Sequence, residues 1–471
     1  MGDADEWEKM KQIKPQGYVC YQATTPLKID GRLDDEAWSS APWTVDFADI
    51  QGADKPKPTF RTRAKMLWDA NCLYIAAELV EPHVWGTLVK HDSVIFHDND
   101  FEVFIDPDGD NHEYYEFEMN ALNTGWDLFL PKPYSDGGSA DDGWEIPGLK
   151  TAVQVDGTLN DPADSDQGWS LEIAIPWQAL GQHAHRNVPP RNGDQWRVNF
   201  SRVEWEHEIK EGKYVKVAGK PEDNWVWSPQ GIINMHRPER WGYVQFSDAK
   251  PGTVEFQRDP TERGRDALME VYHLQKSFQK RNSRWAVSWD ELNAAANLFA
   301  DFPEAPILKL TPEGYDVTLA IPLGDNRTQT WRVQQDSRLW VPDRWEKHVD
   351  KIKNMLDRQA AAWNRGDIDA FMEDYWKSDQ LTFSSAGKAT RGWAATKANY
   401  KTRYPTKEKM GQLTFSELEV TLLDETSALV LGRWHLAREG DEPQGNFSLV
   451  LRQIDGTWVI VHDHTSLEET R

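Results

Sequence analysis

The 471-residue chain carries 77 acidic and 53 basic residues, which gives a formal net charge of −24. This charge argues against nucleic acids, anionic membrane surfaces and strongly anionic polysaccharides as partners, because each of these needs a basic surface. The length predicts about two to four domains, and two cysteines are too few for a disulfide framework, although one bridge stays possible. No apolar run reaches the roughly 18 residues of a membrane span.

Residues 18–246 alternate between apolar and polar side chains and are interrupted by Gly, Pro, Asn or Asp about every ten residues. This pattern is typical of an antiparallel β-sandwich. Strand 101–105 places Glu102 on the face opposite Phe101, and strand 115–119 places Glu116 and Glu118 opposite Phe117. Carboxylates beside aromatic rings on one sheet face suit the binding of a neutral polyol.

An acidic turn joins these two strands. It contains Asp106, Asp108, Asp110 and Asn111, and carboxylate and amide oxygens are the ligands that Ca²⁺ prefers. The turn is not an EF-hand, because its glycine stands at the fourth position instead of the sixth. The pattern predicts a structural calcium site, and a metal-free hairpin turn is the alternative. No organic cofactor is expected.

The chain is predicted to continue with a small α+β subdomain over residues 260–341. A helix at 261–280 precedes strands at 307–310, 315–321 and 330–334. After Pro342 the pattern indicates three helices, at 345–363, from 366 and at 392–404. Long strands follow at 414–423, 427–437, 444–454 and 457–464. Helices followed by a curved antiparallel meander predict an α+β cone over 345–471.

Several segments of the first region resemble one family in order and spacing. They are 29–38 (IDGRLDDEAW), 66–78, 98–120, 169–177 (WSLEIAIPW), 196–202, and the closing motifs at 227–229, 236–238 and 241–246. Residues 18–246 therefore resemble the family 9 carbohydrate-binding module, a β-sandwich, and the domain is predicted to span 18–249. The resemblance implies that two aromatic rings clamp a sugar while charged and amide groups bind its hydroxyls.

Carried over residue by residue, the resemblance implies a set of sugar contacts. Glu102 and Arg202 match the polar contacts, and Trp225 or Trp227 is the second clamp ring, with one of the two expected to be exposed. Phe96 stands where the first clamp ring is expected, and a tryptophan is missing there. The full set is Phe96, Glu102, Asn120, Trp126, Arg202, Trp225 and Trp227.

The last region resembles the SnoaL-like branch of the nuclear-transport-factor-like superfamily. The resemblance rests on 362–371 (AWNRGDIDAF), 390–393 (TRGW) and 458–466 (WVIVHDHTS). It implies a pocket between helices and sheet, with Tyr375, Tyr400, Trp434, His462 and His464 as candidates. The apolar alternation through Trp434, Leu436, Phe447 and Leu449 predicts that the other sheet face mediates a homodimer.

These observations predict a multi-domain protein that binds neutral saccharides and carries a C-terminal oligomerisation or small-ligand domain. The alternative is an enzyme. Glu102 and Glu118 could form a hydrolytic pair, or the cone could be an isomerase or cyclase. The first residues show no export signal, whereas sugar binding favours a secreted or periplasmic location, so the localisation stays open.

Overall fold

The structure is a computed structural model that describes residues 3–293, 298–324, 327–342, 344–424, 426–454 and 456–468. It divides into two compact units at Val341 and Pro342. The predicted fold classes, a β-sandwich, an α+β piece and an α+β cone, are confirmed. The further boundary between 249 and 260 stays a prediction. No helix in these ranges is long and apolar enough to cross a membrane.

The N-terminal unit is built around one large curled sheet. Helices α1 (Asp3–Met10), α2 (Glu36–Ser40) and α3 (Trp177–Leu180) lie before or between its strands. The strands are β1 (Gly17–Gln22), β2 (Ala48–Asp49), β3 (Thr62–Trp68), β4 (Cys72–Val80), β5 (Asp100–Asp106), β6 (Tyr114–Asn120), β7 (Gly125–Leu130), β8 (Lys150–Asp156), β9 (Gly168–Pro176), β10 (Gln195–Glu204), β13 (Asp223–Val226) and β14 (Gly242–Ser247); β11 (His207–Lys210) and β12 (Lys213–Lys216) form a separate hairpin.

The strand order β7-β6-β5-β10-β14-β1-β3-β4-β9-β8 lets the two halves of the sheet enclose one core, with β13 pairing to β10 and β2. Phe101 of β5 and Phe200 of β10 contribute to this core from one half, and Met66 of β3 and Ile173 of β9 contribute from the other. Alternation along β5 turns the remaining side chains of that strand away from the core. Cys20 and Cys72 are both free thiols.

The same unit contains the smaller α+β piece. Its elements are α4 (Glu262–Asn282), α5 (Trp289–Leu292), β15 (Ile307–Leu310), β16 (Tyr315–Gly324), β17 (Arg327–Gln334) and β18 (Leu339–Trp340), and the four strands form a sheet in that order. Leu268 and Tyr272 of α4 pack against Val317 and Val333, and Trp7 of α1 joins this core. Helix α1 therefore belongs to the same core as a helix that starts 252 residues after α1 ends.

The C-terminal unit is a curved sheet that wraps around helices. Its elements are α6 (Arg344–Asn364), α7 (Ile368–Phe371), β19 (Thr382–Ser385), β20 (Lys388–Arg391), α8 (Trp393–Arg403), α9 (Lys407–Met410), β21 (Gln412–Asp424), β22 (Ser427–Ala437), β23 (Gln444–Ile454) and β24 (Thr457–Thr465). The strand order is β20-β19-β24-β23-β22-β21. Ile352 and Leu356 of α6 and Val430 of β22 share its core.

Candidate functional site

Four carboxylates lie together on the face of β5 and β6 that points away from the core. Antiparallel pairing places Glu102 opposite Glu118 and Phe104 opposite Glu116, and Asp100 lies two residues from Glu102 on the same face. All four are at most 5% exposed. We call Asp100, Glu102, Glu116 and Glu118 the carboxylate cluster. The predicted alternation of β5 and β6 placed Glu102, Glu116 and Glu118 on one face, and the structure adds Asp100.

Burial sets the protonation of this cluster. It raises the pKa of Glu102 to about 7, and the Glu222 carboxylate acts in the same direction. Burial raises the pKa values of Asp100, Glu116 and Glu118 well above the ordinary range, and the charge of Glu102 adds to each. Carboxyl groups of this kind can accept hydrogen bonds from hydroxyls when ionised and donate them when protonated.

Several residues with aromatic side chains lie next to the cluster. Phe96 is half-buried, and its backbone is held between Glu118 Oε2, which accepts its N–H at 2.9 Å, and Trp205 Nε1, which donates to its carbonyl at 2.8 Å. Trp126 pairs with Glu118 across β6 and β7. Tyr134 is 47% exposed, and the charges of Glu116 and Glu118 act on its hydroxyl. Tyr134 comes from a short 3₁₀ helix after β7 and Trp205 from the loop after β10, and no pattern in the sequence pointed to them.

Arg202 does not belong to this surface, contrary to the prediction. It pairs with Phe101, on the core side of β10, and is 1% exposed. Its Nη2 donates to Glu81 at 2.7 Å and to Glu204 at 2.8 Å, and its Nη1 donates to the carbonyl of Val80 at 2.9 Å. The guanidinium is therefore committed to the interior and holds β10 against the end of β4.

Neither Trp225 nor Trp227 is exposed, so the expectation that one of them is free to bind is wrong. Their exposed fractions are 4% and 2%, and both belong to the main core of the N-terminal unit. Residues two apart on an extended chain point to the same side. Trp227 packs on Phe200, and Trp225 packs on Phe60.

The side-chain amide of Asn120 also forms its hydrogen bonds within the protein. Its Nδ2 donates to the Leu88 carbonyl and to Asp98, and its Oδ1 accepts from the N–H groups of Leu122 and Thr124. It is fully buried. Asn120 therefore shapes the loop after β6, although it lies opposite Asp100 at the edge of the cluster. Phe96, Glu102 and Trp126 are the other predicted sugar contacts at the cluster.

The acidic turn has structural contacts that explain part of its composition. Asp106 accepts the N–H groups of Gly109 and Asn111 at 2.9 Å each, and Asn111 Nδ2 donates to the Ser337 carbonyl at 2.9 Å. Oxygens of Asp106, Asp108 and Asp110 nevertheless lie within 4.8 Å of one another. Burial raises the pKa of Asp106 to about 7, and Asp110 adds to it. The calcium site at this turn stays a prediction.

We expect calcium to stabilise the N-terminal unit through this turn. A ligand present at a hundredfold excess over its Kd adds about 2.7 kcal/mol to the free energy of unfolding. Thermal melts of the full chain in calcium and in chelator measure the effect, and Asp108→Asn should reduce it because it removes the charge of one of the three converging carboxylates. Coincident melts of the unchanged chain would contradict the prediction.

The C-terminal unit encloses a cavity of about 420 Å³ between its helices and its sheet. Tyr375, Tyr400 and Trp434 line it, as predicted, and Asp463 lies at its wall. The Tyr375 hydroxyl donates to Asp463 Oδ2 at 2.7 Å, and Thr465 Oγ1 donates to Oδ1 at 2.9 Å. Burial raises the pKa of Asp463 to about 6. The cavity therefore combines aromatic walls with one buried acid.

His462 and His464 do not line the cavity, contrary to the prediction. Strict alternation from Ile460 would turn both inward, but the pairing of β23 with β24 shifts between Val450 and Leu451. This bulge inserts one residue into β24, so the side chains after it change face. Asp463 points inward instead, and His462 Nδ1 lies 2.6 Å from Thr382 Oγ1 of β19.

The predicted dimer surface also needs correction. Trp434, Leu436, Phe447 and Leu449 line the cavity, so they are not on the outer face of the sheet. The outer face carries Leu431, which is 41% exposed.

We still expect a homodimer through this outer face of the sheet. Light scattering of the full chain at tens of micromolar measures it, Leu431→Lys should weaken it, and a monomer of the unchanged protein would contradict it.

The buried acid of the cavity predicts a pH effect on stability. The folded protein keeps a proton on Asp463 up to about pH 6, whereas the unfolded chain loses it near its ordinary pKa of 3.8. The folded state binds more protons in this window, so the free energy of unfolding falls as pH rises from about 4 to 6. Each pKa unit corresponds to about 1.4 kcal/mol.

Urea denaturation at pH 4.5 and 7 measures this effect. The free energy of unfolding of the unchanged chain should fall from pH 4.5 to pH 7. Over the same change, that of Asp463→Asn should rise by about 1–3 kcal/mol relative to the unchanged chain. Asp379→Asn, at an exposed aspartate of the same unit, is the control and should show no such gain. A parallel pH dependence of Asp463→Asn and the unchanged chain would contradict the assignment.

Comparison with known proteins identifies both regions. Residues 29–193 match the family described as carbohydrate family 9 binding domain-like. Residues 29–193 form a family 9-like domain. Residues 352–468 match the SnoaL-like domain family and form a domain of that kind. Both predicted resemblances are confirmed, and β5, β6 and β7 with the carboxylate cluster fall inside the family 9-like domain.

Individual relatives share only parts of the chain. The exoglucanase XynX of Acetivibrio thermocellus is 28% identical over 156 residues, which are 33% of this chain and 12% of that protein. A family 9 module of Caldicellulosiruptor kristjanssonii in complex with cellotriose is 17% identical and covers 52% of this chain and 100% of its own, with a TM-score of 0.34. An NTF-2 like protein of unknown function from Shewanella oneidensis is 46% identical and covers 25% of this chain and 98% of its own, with a TM-score of 0.25.

Proposed function

We propose that the protein binds a neutral saccharide on the surface of the family 9-like domain formed by the carboxylate cluster and the rings of Phe96, Trp126 and Tyr134. The match of residues 29–193 to a carbohydrate-binding family supports this function. The observation that carries the location is a buried set of carboxylates bordered by aromatic rings that are not fully buried.

The chemistry of this surface suits a polyol. Aromatic faces pack against the C–H groups of a sugar ring, and ionised carboxylates form strong hydrogen bonds with hydroxyls, worth roughly 1.5–3 kcal/mol each. Trp126 Nε1 is buried and has no hydrogen-bond acceptor within the described ranges. An indole N–H of this kind usually has a partner, and a sugar hydroxyl oxygen can supply one.

Calorimetric titration of the full chain with glucose, cellotriose and xylotriose tests the proposal. We expect a Kd of about 10⁻⁴ to 10⁻⁶ M for at least one of them, or roughly −5.5 to −8 kcal/mol. Trp126→Ala should weaken binding. Trp43→Ala is the matched control, because this half-buried ring is already covered by the Arg63 guanidinium at 4.1 Å. No binding across a wider panel of neutral saccharides would reject the proposal.

A second function is favoured for the SnoaL-like domain. Its cavity of about 420 Å³ has the size of a small-molecule site, for which the common range is about 300–1,000 Å³. The walls are mostly aromatic and aliphatic, and Asp463 with Tyr375 supplies polar groups. We propose that it binds a small, largely apolar ligand. The enzyme alternative rests on Asp463, whose raised pKa suits proton transfer near neutral pH.

A further inference from the structure

The opening of the cavity in the SnoaL-like domain carries positive charge. Lining residues that are also exposed to solvent mark this opening, and they come from the β19–β20 hairpin, the end of α8 and the segment after β24. They are Ala386, Lys388, Asn399, Arg403, Ser466 and Leu467. Two of these residues are basic and none is acidic, although the chain has a formal net charge of −24. The opening therefore departs from the acidic character of the chain.

The two cations at the opening have no acidic partner, unlike the other two basic residues of α8. Lys397 and Lys401 of this helix bind the Asp369 carboxylate at 2.5 Å and 2.9 Å. Arg403, the last residue of α8, forms no ion pair within the described part of the chain, and its guanidinium carbon lies 5.6 Å from the centre of the Tyr404 ring. Lys388 likewise forms no ion pair with any described residue. Both charges are thus available to a ligand.

The strand register shows how the opening leads to the buried acid. Lys388 of β20 and Thr465 of β24 both pair with Ser385 of β19, so these residues form one row across the three strands. Asp463 stands two residues before Thr465, roughly 7 Å away along the strand. Lys388 is exposed and Asp463 is only 4% exposed. The cavity therefore becomes deeper from the row of Lys388 towards Asp463.

The interior of the cavity is unfavourable for an anion. Asp463 is the one acidic residue among the described residues that line the cavity. Its raised pKa of about 6 leaves it largely ionised above pH 7. An ionised carboxylate repels another anion, whereas it accepts hydrogen bonds from hydroxyl groups. A negatively charged group of a ligand is therefore best placed at the opening, away from Asp463.

We propose that the ligand of the SnoaL-like domain is an amphipathic organic carboxylate, whose apolar body lies in the cavity and whose carboxylate lies at the opening with Lys388 and Arg403. This inference rests on the proposed small-ligand function and names the class of ligand. Apolar side chains, among them Phe415, Trp434 and Phe447, supply the surface against which the body packs. A guanidinium can bind a carboxylate through two parallel hydrogen bonds, and an ammonium binds it as a point charge.

Calorimetric titration of the full chain at about pH 7.5 with two pairs of probes tests the inference. The pairs are octanoate with octan-1-ol and 2-naphthoate with 2-naphthol, and the members of each pair share an apolar body and differ in charge. We expect the carboxylate of at least one pair to bind about fivefold or more tightly than its neutral partner, because two exposed charge pairs add to its affinity. Raising the salt concentration should reduce this preference.

Substitutions at the opening make the test specific. Lys388→Gln and Arg403→Gln should each raise the Kd of the carboxylate about threefold, and about tenfold together, while the Kd of the neutral partner stays unchanged. Lys401→Gln is the matched control, because it removes a cation of the same helix that binds Asp369 instead. All three side chains are exposed, so thermal melts should show that the variants are folded.

Two results would overturn the inference. One is equal or tighter binding of the neutral partners, and the other is an unchanged Kd of the carboxylate in the double variant. Binding of the neutral partners without a preference for charge would reject the carboxylate class and leave the small-ligand function in place. Failure of both pairs to bind at millimolar concentration would reject both.

Discussion

Glu102→Gln should weaken saccharide binding by about tenfold or more, since a hydrogen bond to a charged group contributes roughly 1.5–3 kcal/mol. Glu102 is central to the carboxylate cluster, paired with both Glu118 and Ser201. The substitution keeps the shape of the side chain and removes its charge. Calorimetry in chelator, so that no metal contributes, compares the variant with the unchanged chain.

Glu78→Gln is the control for this experiment. Glu78 is a partly exposed carboxylate of β4 that pairs with Arg61 and Arg63, away from the cluster. Its substitution should leave the affinity unchanged. Equal affinities for Glu102→Gln and the unchanged chain would place the saccharide elsewhere on the protein.

Arg202→Leu should destabilise the N-terminal unit by about 3–5 kcal/mol, the usual effect of removing one partner from a buried ion pair. The substitution leaves Glu81 and Glu204 without their cation, and their side chains are only 2% and 7% exposed. Burial already raises the pKa of Glu204 to about 8, so its charge depends on the guanidinium. Urea denaturation at pH 7 measures the change.

Two further variants make this test specific. Arg61→Leu removes an arginine from a pair whose side chains are 44% and 33% exposed, and it should cost at most about 1 kcal/mol. Adding Glu204→Leu to Arg202→Leu should restore part of the lost stability, because it removes one of the two buried carboxylates that no longer have a cation. A destabilisation below 1 kcal/mol for Arg202→Leu alone would show that the buried ion pairs of Arg202 with Glu81 and Glu204 contribute little to stability.

Local alternation predicted the part of the site that lies on two adjacent strands. Glu102 and Glu118 share a face in the sequence pattern and in the structure, because both strands are regular over this stretch. Alternation also places Trp225 and Trp227 on the same side of the chain, because they are two residues apart. That side faces the core. The resemblance could not show which face of β10 is buried, so it assigned Arg202 to the sugar.

Other features depend on contacts that no local pattern contains. The bulge in β24 turns Asp463 into the cavity, and a single inserted residue leaves no trace in the alternation of apolar residues. Tyr134 and Trp205 lie outside the strands, in a short 3₁₀ helix and in a loop. Trp434 lines the cavity because its face of β22 is the one that meets the helices. These outcomes follow from how the chain folds back on itself over long distances.

The joint packing of α1 and α4 limits where this protein can be truncated. Trp7 and Met10 precede the large sheet in sequence, yet they are buried beside Leu268 and Tyr272, which follow it. The amide of Ala4 donates to Ser277 Oγ at 2.8 Å. A fragment cut at residue 249 would lose the residues against which α1 packs. A fusion protein that uses this unit should therefore include all of residues 3–341.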